Sequence, residues 1–179
     1  MNWKTPKVAV AEFQTSEARQ ELRATESERR LDAIELSPRI AFLNYDTGEA
    51  INYAAYTADN PGPLDFDVRA GELLIHIGCE ASVSVATPPN TTSLRMSYSL
   101  TRLTDNSVIE AAADARSAIL SIFTQSSSNT IATSISYHRK LTNLLSGRYR
   151  LQAYYKTAGP VNPSISNRYI SAEYFPRTQ

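Results

Sequence analysis

Apolar and polar side chains alternate with a period of two residues along most of the chain after Ile40. The clearest run is 73–85, where the odd positions are apolar or small and mostly polar or small residues stand between them. Such alternation is typical of a β-strand with one buried and one solvated face. The same pattern recurs strongly over 94–100, 131–137, 149–155 and 167–175, and more weakly at 40–45, 51–57, 106–110 and 117–124. The sequence therefore predicts eight or nine short strands.

Turn-forming residues separate these runs. Asn60-Pro61-Gly62-Pro63, Pro88-Pro89-Asn90 and Ser146-Gly147 are examples, and 111–116 predicts one helical turn within the β region. Many short strands divided in this way indicate an antiparallel sandwich or barrel. No repeat of fixed period is visible, which disfavours a solenoid or a propeller.

The N-terminal segment, 1–38, has a different composition. Its second half is rich in good helix formers and in charges of both signs, and Pro38 ends it. We predict a segment that is extended at first and then helical. Its apolar positions are too sparse for a self-burying face or a coiled coil, so it is either a solvated helix or an arm that acquires its partner in an assembly. The residues of this candidate assembly arm are Phe13, Leu22, Leu31 and Ile34.

Two stretches carry a resemblance to a known family. The stretch 141–155 reads LTNLLSGRYRLQAYY, a leucine-bearing loop followed by a turn glycine and an alternating strand, and 166–175 is a final alternating strand. This order resembles the late hairpin and closing strand of complement-C1q/TNF-like jelly rolls, which phage fibre heads and capsid-decoration proteins share. The resemblance implies an antiparallel jelly-roll β-sandwich over 39–179, in an all-β chain with a helical N-terminal arm. It also implies a homotrimer packed through aromatic-rich faces.

Tyrosine is abundant, at ten residues, and many of them lie in the last third of the chain. Tyrosine combines a large apolar ring with a hydroxyl that tolerates water, so it is favoured at interfaces. It is equally favoured in strands. The candidate oligomer interface consists of Tyr149, Tyr154, Tyr155, Tyr169 and Tyr174.

Charge restricts the classes of partner. Lysine and arginine total 18, as do aspartate and glutamate, so the formal net charge is +0. A neutral chain lacks the positive field that favours nucleic acid or an anionic membrane. No apolar run approaches the ~18 residues of a membrane span, and 8–11 is too short for the core of a signal peptide. We therefore expect no nucleic-acid partner, no membrane partner and no export.

Basic residues concentrate in the second half of the chain. Arg148 and Arg150 share one strand face. They form either a mild patch for an acidic partner or an ordinary wet sheet face. The remaining basic residues of this group are Arg95, Arg102, Arg139 and Lys140.

The reactive residue types do not predict a catalytic or metal centre. His76 and His138 lack the spacing of a metal motif, and Cys79 is the single cysteine. His76 and Cys79 face opposite sides of one strand, so we expect Cys79 to be a buried, inert thiol. Asp65 and Asp67 share a strand face, where a solvated edge is a simpler interpretation than a calcium or glycosidase site. We expect no enzymatic activity, no cofactor and no metal.

Three functional hypotheses follow. The first is a structural virion protein, a phage capsid-decoration (cement) protein that is made in the host cytoplasm, assembles as a trimer and binds other virion proteins through its arm. The second is a receptor-binding fibre or baseplate tip that presents the loops 86–92, 125–129 and 157–166 to a host glycan. The third is a carbohydrate-active β-sandwich enzyme, which needs paired carboxylates in a cleft. The sequence offers no credible pair, and activity that is lost on changing Asp65 or Asp67 would revive this hypothesis. The viral origin in the first two hypotheses rests on the fold-level resemblance.

Overall fold

A computed structural model describes residues 19–28, 39–85, 90–124 and 129–176. Residues 19–28 form an α-helix, which belongs to a separate unit from the β region. The strands are β1 (Arg39–Tyr45), β2 (Glu49–Ala50), β3 (Thr57–Ala58), β4 (Leu64–Val68), β5 (Gly71–Val85), β6 (Asn90–Arg102), β7 (Ser107–Glu110), β8 (Ser117–Thr124), β9 (Asn129–Leu144), β10 (Gly147–Ala158) and β11 (Ser164–Pro176). Within the described ranges, no helix is both long and apolar enough to cross a bilayer.

The strands form two antiparallel sheets. Sheet 1 has the order β1-β11-β5-β9, and the short β2 adds to β11. In sheet 2, β10 pairs with β6 on one edge and with β3 and β4 on the other. The far edge of β6 pairs with β7 and β8. The chain crosses between the sheets at most of its long connections, as it does in a jelly roll. The predicted all-β jelly-roll sandwich with a helix near the N-terminus is confirmed.

The core follows directly from the alternation in the sequence. In β5 the odd positions from Leu73 to Val83 are buried and the even positions between them point outward. Strand β11 adds inward side chains beside those of β5 in the same sheet, and strands β6 and β10 of sheet 2 supply the side chains that face them. Burial of apolar area contributes about 25 cal/mol per Å², so this interior provides the main stabilisation of the sandwich. The fully buried side chains of the interior include Leu73, Ile75, Ile77, Leu94, Met96, Leu100, Leu151 and Ile170.

A bulge in β11 changes which residues face inward. The pairing with β5 shifts between Ser166 and Tyr169, and Asn167 has a φ of 46°. Asparagine adopts this left-handed conformation more readily than most residues. Ile165 points inward before the bulge, and Arg168 and Ile170 point inward after it. The bulge therefore places an arginine in the interior of the sandwich.

The weaker local predictions are met in part. A 3-10 helix at Asp114–Arg116 forms the predicted helical turn. The buried Ser97 holds this turn, because its hydroxyl lies 2.7 Å from the Arg116 carbonyl and accepts the Ala113 N–H at 3.2 Å. The helix at 19–28 covers part of the predicted helical arm. The division at 38/39 stays a prediction.

Candidate interaction surface

The structure separates the five predicted interface tyrosines into two groups. Tyr149, Tyr155 and Tyr174 are 1%, 0% and 3% exposed, so in this fold they belong to the core. For these three the expectation of surface contact is wrong, because β10 and β11 turn their positions toward the opposite sheet. Two of the buried hydroxyls are satisfied within the chain. Tyr149 donates to the Leu145 carbonyl and Tyr155 to the Asn60 carbonyl, each at 2.8 Å. Tyr154 and Tyr169 are half-buried and point outward, so their part in an interface stays a prediction.

The arm residues are placed only in part. Leu22 lies in the helix 19–28 and is 74% exposed. Phe13, Leu31 and Ile34 lie outside the described residues. Nearly every described position of this helix is exposed, so it has no buried apolar face.

The outer face of sheet 1 carries one exposed apolar group, which we name the β1 patch: Ile40, Phe42 and Tyr169. Ile40 is 69% exposed and Phe42 is 57% exposed. The Phe42 and Tyr169 rings stack at 6.4 Å between centroids. Tyr169 lies against Gly78 of the neighbouring strand, where an added Cβ would come within 2.6 Å of the ring. The glycine thus allows the ring to lie close to the sheet.

Further exposed apolar side chains lie on β8 and β9, the edge strands that are in contact where the two sheets meet. We name these two edges the uncharged side: Ile119 and Phe123 on the outer face of β8, and Ile131 of β9, which lies opposite the buried Val83. These side chains are 47%, 60% and 40% exposed. Neither β8 nor the segment 129–137 contains a charged residue or a proline. Within the described residues, no strand pairs with the far edge of β8. A long uncharged edge of this kind invites contact with another chain.

The opposite edge of sheet 2 has the reverse character. We name it the charged side: Asp65 and Asp67 of β4, and Arg148 and Arg150 of β10. Arg150 binds Asp65 through two hydrogen bonds of 2.7 and 2.9 Å, and Arg148 lies 3.8 Å from the same carboxylate. The hydrogen bonds from Arg150 lower the pKa of Asp65. The acidic pair and the basic pair of the sequence thus lie opposite each other in the strand register, and both arginines approach the carboxylate of Asp65.

The other four basic residues that the sequence places in the second half of the chain also have acidic partners. These side chains therefore do not form a free basic patch for an acidic ligand. The pairs are Arg95 with Asp114, Arg102 with Asp105, Arg139 with Glu110 and Lys140 with Glu72.

A buried charge cluster, which we name the Arg168 cluster, consists of Arg168, Glu49, Asp59 and Tyr53. Arg168 is fully buried, and its guanidinium lies 2.5 Å from Glu49 and 3.9 Å from Asp59. It also stacks over the Tyr45 ring, with 4.5 Å between the guanidinium carbon and the ring centroid. Arginine suits such a site, because its planar group forms ion pairs and stacks on aromatic rings.

The carboxylate of Asp59 is held in its charged form. Burial opposes ionisation, but hydrogen bonds from Tyr53 and from the Asn60 backbone outweigh it and lower the pKa of Asp59. The hydrogen bond to Asp59, at 2.7 Å, together with burial raises the pKa of Tyr53 to about 12. The cluster ties β11 to the segments 47–49 and 53–59. Sequence reasoning missed it; the asparagine before Arg168 was the one available signal of a bulge.

The remaining chemical groups do not converge. Cys79 is 2% exposed and burial raises its pKa to about 12, which agrees with the expected inert thiol. Among the described residues, no three or more histidine, cysteine or carboxylate side chains are grouped so as to hold a metal. Two shallow hollows have volumes of about 290 and 180 Å³. The lining of each contains one carboxylate, Glu72 in the first and Asp67 in the second.

The likeness to known proteins is one of fold. No family model matches the sequence, and no curated protein matches it. The structure of the infectious bursal disease virus Gx strain is similar over 78% of this chain and 32% of the viral chain, with 11% identity and a TM-score of 0.50. The present chain thus spans about a third of that viral chain.

Two further solved structures are less similar. Eiger TNF from S. frugiperda is 12% identical over 79% of this chain and 95% of its own, with a TM-score of 0.48. The globular domain of the zebrafish complement 1qA protein is 14% identical over 79% of this chain and 100% of its own, with a TM-score of 0.40. At such identities the comparisons show a jelly-roll fold and leave function to be argued from the surface.

Proposed function

We propose that the chain is a structural virion protein, a phage capsid-decoration protein that forms a homotrimer and binds the capsid through its N-terminal arm. The observation that carries this proposal is the uncharged side, where Ile119, Phe123 and Ile131 are exposed on unprotected strand edges. Monomeric proteins blunt such edges with charge or proline. An edge left without either is suited to permanent contact with another chain.

The two apolar groups are suited to each other. The β1 patch lies on the outer face of sheet 1, and the uncharged side lies where the β8 and β9 edges meet. A contact between two different surfaces of identical chains is heterologous, and it forms a closed ring when the rotation between copies closes. We take the ring to have three members, the number that the resemblance in the sequence implies.

The ring is tested with two single variants, Phe42→Lys in the β1 patch and Phe123→Lys in the uncharged side. Each should be monomeric by sedimentation equilibrium, because each damages one half of every contact. An equimolar mixture retains one undamaged contact and should form two-chain complexes. Trimers formed by either variant alone would contradict the heterologous ring.

The arm is proposed to order on the capsid surface. Its described helix buries no apolar side chain, and short isolated helices are marginal in water, so it would gain stability from a partner. Leu22→Lys in the full chain should weaken co-sedimentation with capsids. The matched control is Ala24→Lys, which adds the same charge on another face of the helix. Equal binding by both variants and the parent would contradict the arm's role.

We propose further that the chain is not an enzyme. Asp65 is neutralised by Arg150, and Cys79 is buried away from solvent. Neither group is then free to act as a base or a nucleophile. Turnover of a polysaccharide that is lost in Asp65→Asn would overturn this proposal and favour the carbohydrate-active alternative.

A further inference from the structure

The fold brings both histidines of the chain face to face. His76 lies in β5 and His138 in β9, and the register pairs them directly across the two antiparallel strands. Both point to the outer face of sheet 1, where His138 is exposed and His76 is half-buried. Their ring centroids are 6.0 Å apart, with 33° between the ring planes. Two distant positions in the sequence thus form one exposed imidazole pair.

The two rings are close enough for one nitrogen of each to bind the same metal ion. Directly opposed residues of antiparallel strands have Cβ atoms about 4.5–5.5 Å apart. A histidine nitrogen binds zinc at about 2.0–2.1 Å, so two ligating nitrogens lie within about 4 Å of each other. At this spacing we expect rotation about the side-chain dihedrals to bring one nitrogen of each histidine into that range without a change in the backbone.

We propose that His76 and His138 form a binding site for a divalent transition metal of the class that prefers imidazole: Cu²⁺, Ni²⁺ or Zn²⁺. Imidazole suits these ions, whereas calcium and magnesium require oxygen ligands. No third histidine, cysteine or carboxylate joins the pair among the described residues. Water or a group from another molecule therefore completes the coordination.

The exposed His138 is flanked on one side by Ser136, which lies opposite Gly78, and the next pair beyond it is Glu80 with Ser134. On the other side of the histidines lie Leu74 and Lys140, and the amine of Lys140 is paired with Glu72 at 2.7 Å. β9 is an edge strand of sheet 1, so an ion can approach from the side of His138. Both ligands belong to one chain, so the site does not depend on the proposed ring or on the virion function.

The test is titration calorimetry of the full chain with Ni²⁺ and, separately, with Zn²⁺. We expect one ion per chain, and we expect His76→Gln and His138→Gln each to remove the binding. The matched control is Ser136→Gln, which changes the same face of the same strand and should bind as the parent does. Circular dichroism verifies that every variant has kept its β structure.

A spectroscopic measurement makes the assignment specific. Electron paramagnetic resonance of Cu²⁺ on the parent chain should show coupling to two nitrogen donors, and each glutamine variant should lose that signal. Absence of Ni²⁺, Zn²⁺ and Cu²⁺ binding by the parent would overturn the proposal. Binding that is unchanged in both glutamine variants would overturn it as well.

Discussion

The two edges of sheet 2 differ in whether their exposed side chains have partners within the chain. On the charged side, Asp65 is bound by Arg150 within the same chain, and the nearby segment 53–59 takes part in the Arg168 cluster. On the uncharged side, Ile119 and Phe123 are exposed and β8 contains no charged residue. The first edge is completed by the chain itself. The second exposes apolar area that no described residue of the chain covers.

This difference separates stability from assembly. Breaking a buried ion pair costs much free energy and breaking a surface pair costs less, whereas exposed apolar side chains contribute little to the folding of a single chain. Substitutions on the two sides should therefore affect different measurements. Changes in the Arg168 cluster should alter the free energy of unfolding, and changes on the uncharged side should alter the number of chains in the oligomer.

The largest effect on stability is expected from Arg168→Met. Removing the guanidinium leaves Glu49 and Asp59 without their cation, and breaking a buried ion pair costs about 3–5 kcal/mol. We expect the lower part of that range, because the Glu49 side chain is 34% exposed and can be hydrated. Urea unfolding measures the loss. A loss below about 1 kcal/mol would show that the cluster does not hold β11 to its neighbours.

A smaller effect, with a defined pH dependence, is expected from Asp65→Asn. The pKa of Asp65 is lower in the folded chain than its ordinary value of 3.8, so the carboxylate stabilises the fold above that pH. This contribution is lost as the pH falls through the folded pKa. The variant should be less stable at pH 7 by up to about 1 kcal/mol, the usual limit for a surface pair.

The control for this prediction is the same comparison at successively lower pH, where the free energies of unfolding of the parent and Asp65→Asn should converge. The pKa of Asp59 is lowered as well, so protonation of Asp59 should further decrease the free energy of unfolding of both chains in acid. A difference between the two chains that grows as the pH falls would contradict the assigned ion pair.

The smallest effect on folding is expected on the uncharged side. Phe123→Lys replaces a side chain that is 60% exposed, so the free energy of unfolding of the single chain should change by about 0.5 kcal/mol or less. Val108→Lys, on β7, is a matched control, because Val108 is 62% exposed, receives the same new side chain and belongs to neither apolar group of the proposed ring. Sedimentation should show dissociation for Phe123→Lys and no change for Val108→Lys.

The local pattern of the sequence was sufficient for the strands but not for the surfaces. Alternation over 73–85 places Leu73 and Ile75 inside without knowledge of any neighbour, because strand periodicity is a local property. The opposition of Asp65 and Arg150, like that of His76 and His138, depends on strand register. Register is set by pairings between distant segments, so no local pattern contains it.

The tyrosines and Arg168 show a second limit. An outward and an inward tyrosine look alike in the sequence, and the bulge at Asn167 shifts the alternation by one residue. A shift of one residue turns every following side chain to the other face. Arg168 therefore lies in the interior at a position where composition alone favours solvent.

Sedimentation equilibrium of the unmodified chain across the micromolar range tests the central claim most directly. If copies of the chain cover the uncharged side, the chain should sediment as three-chain particles throughout that range. A mass of one chain at every concentration would contradict the claim that this edge is built for contact between copies.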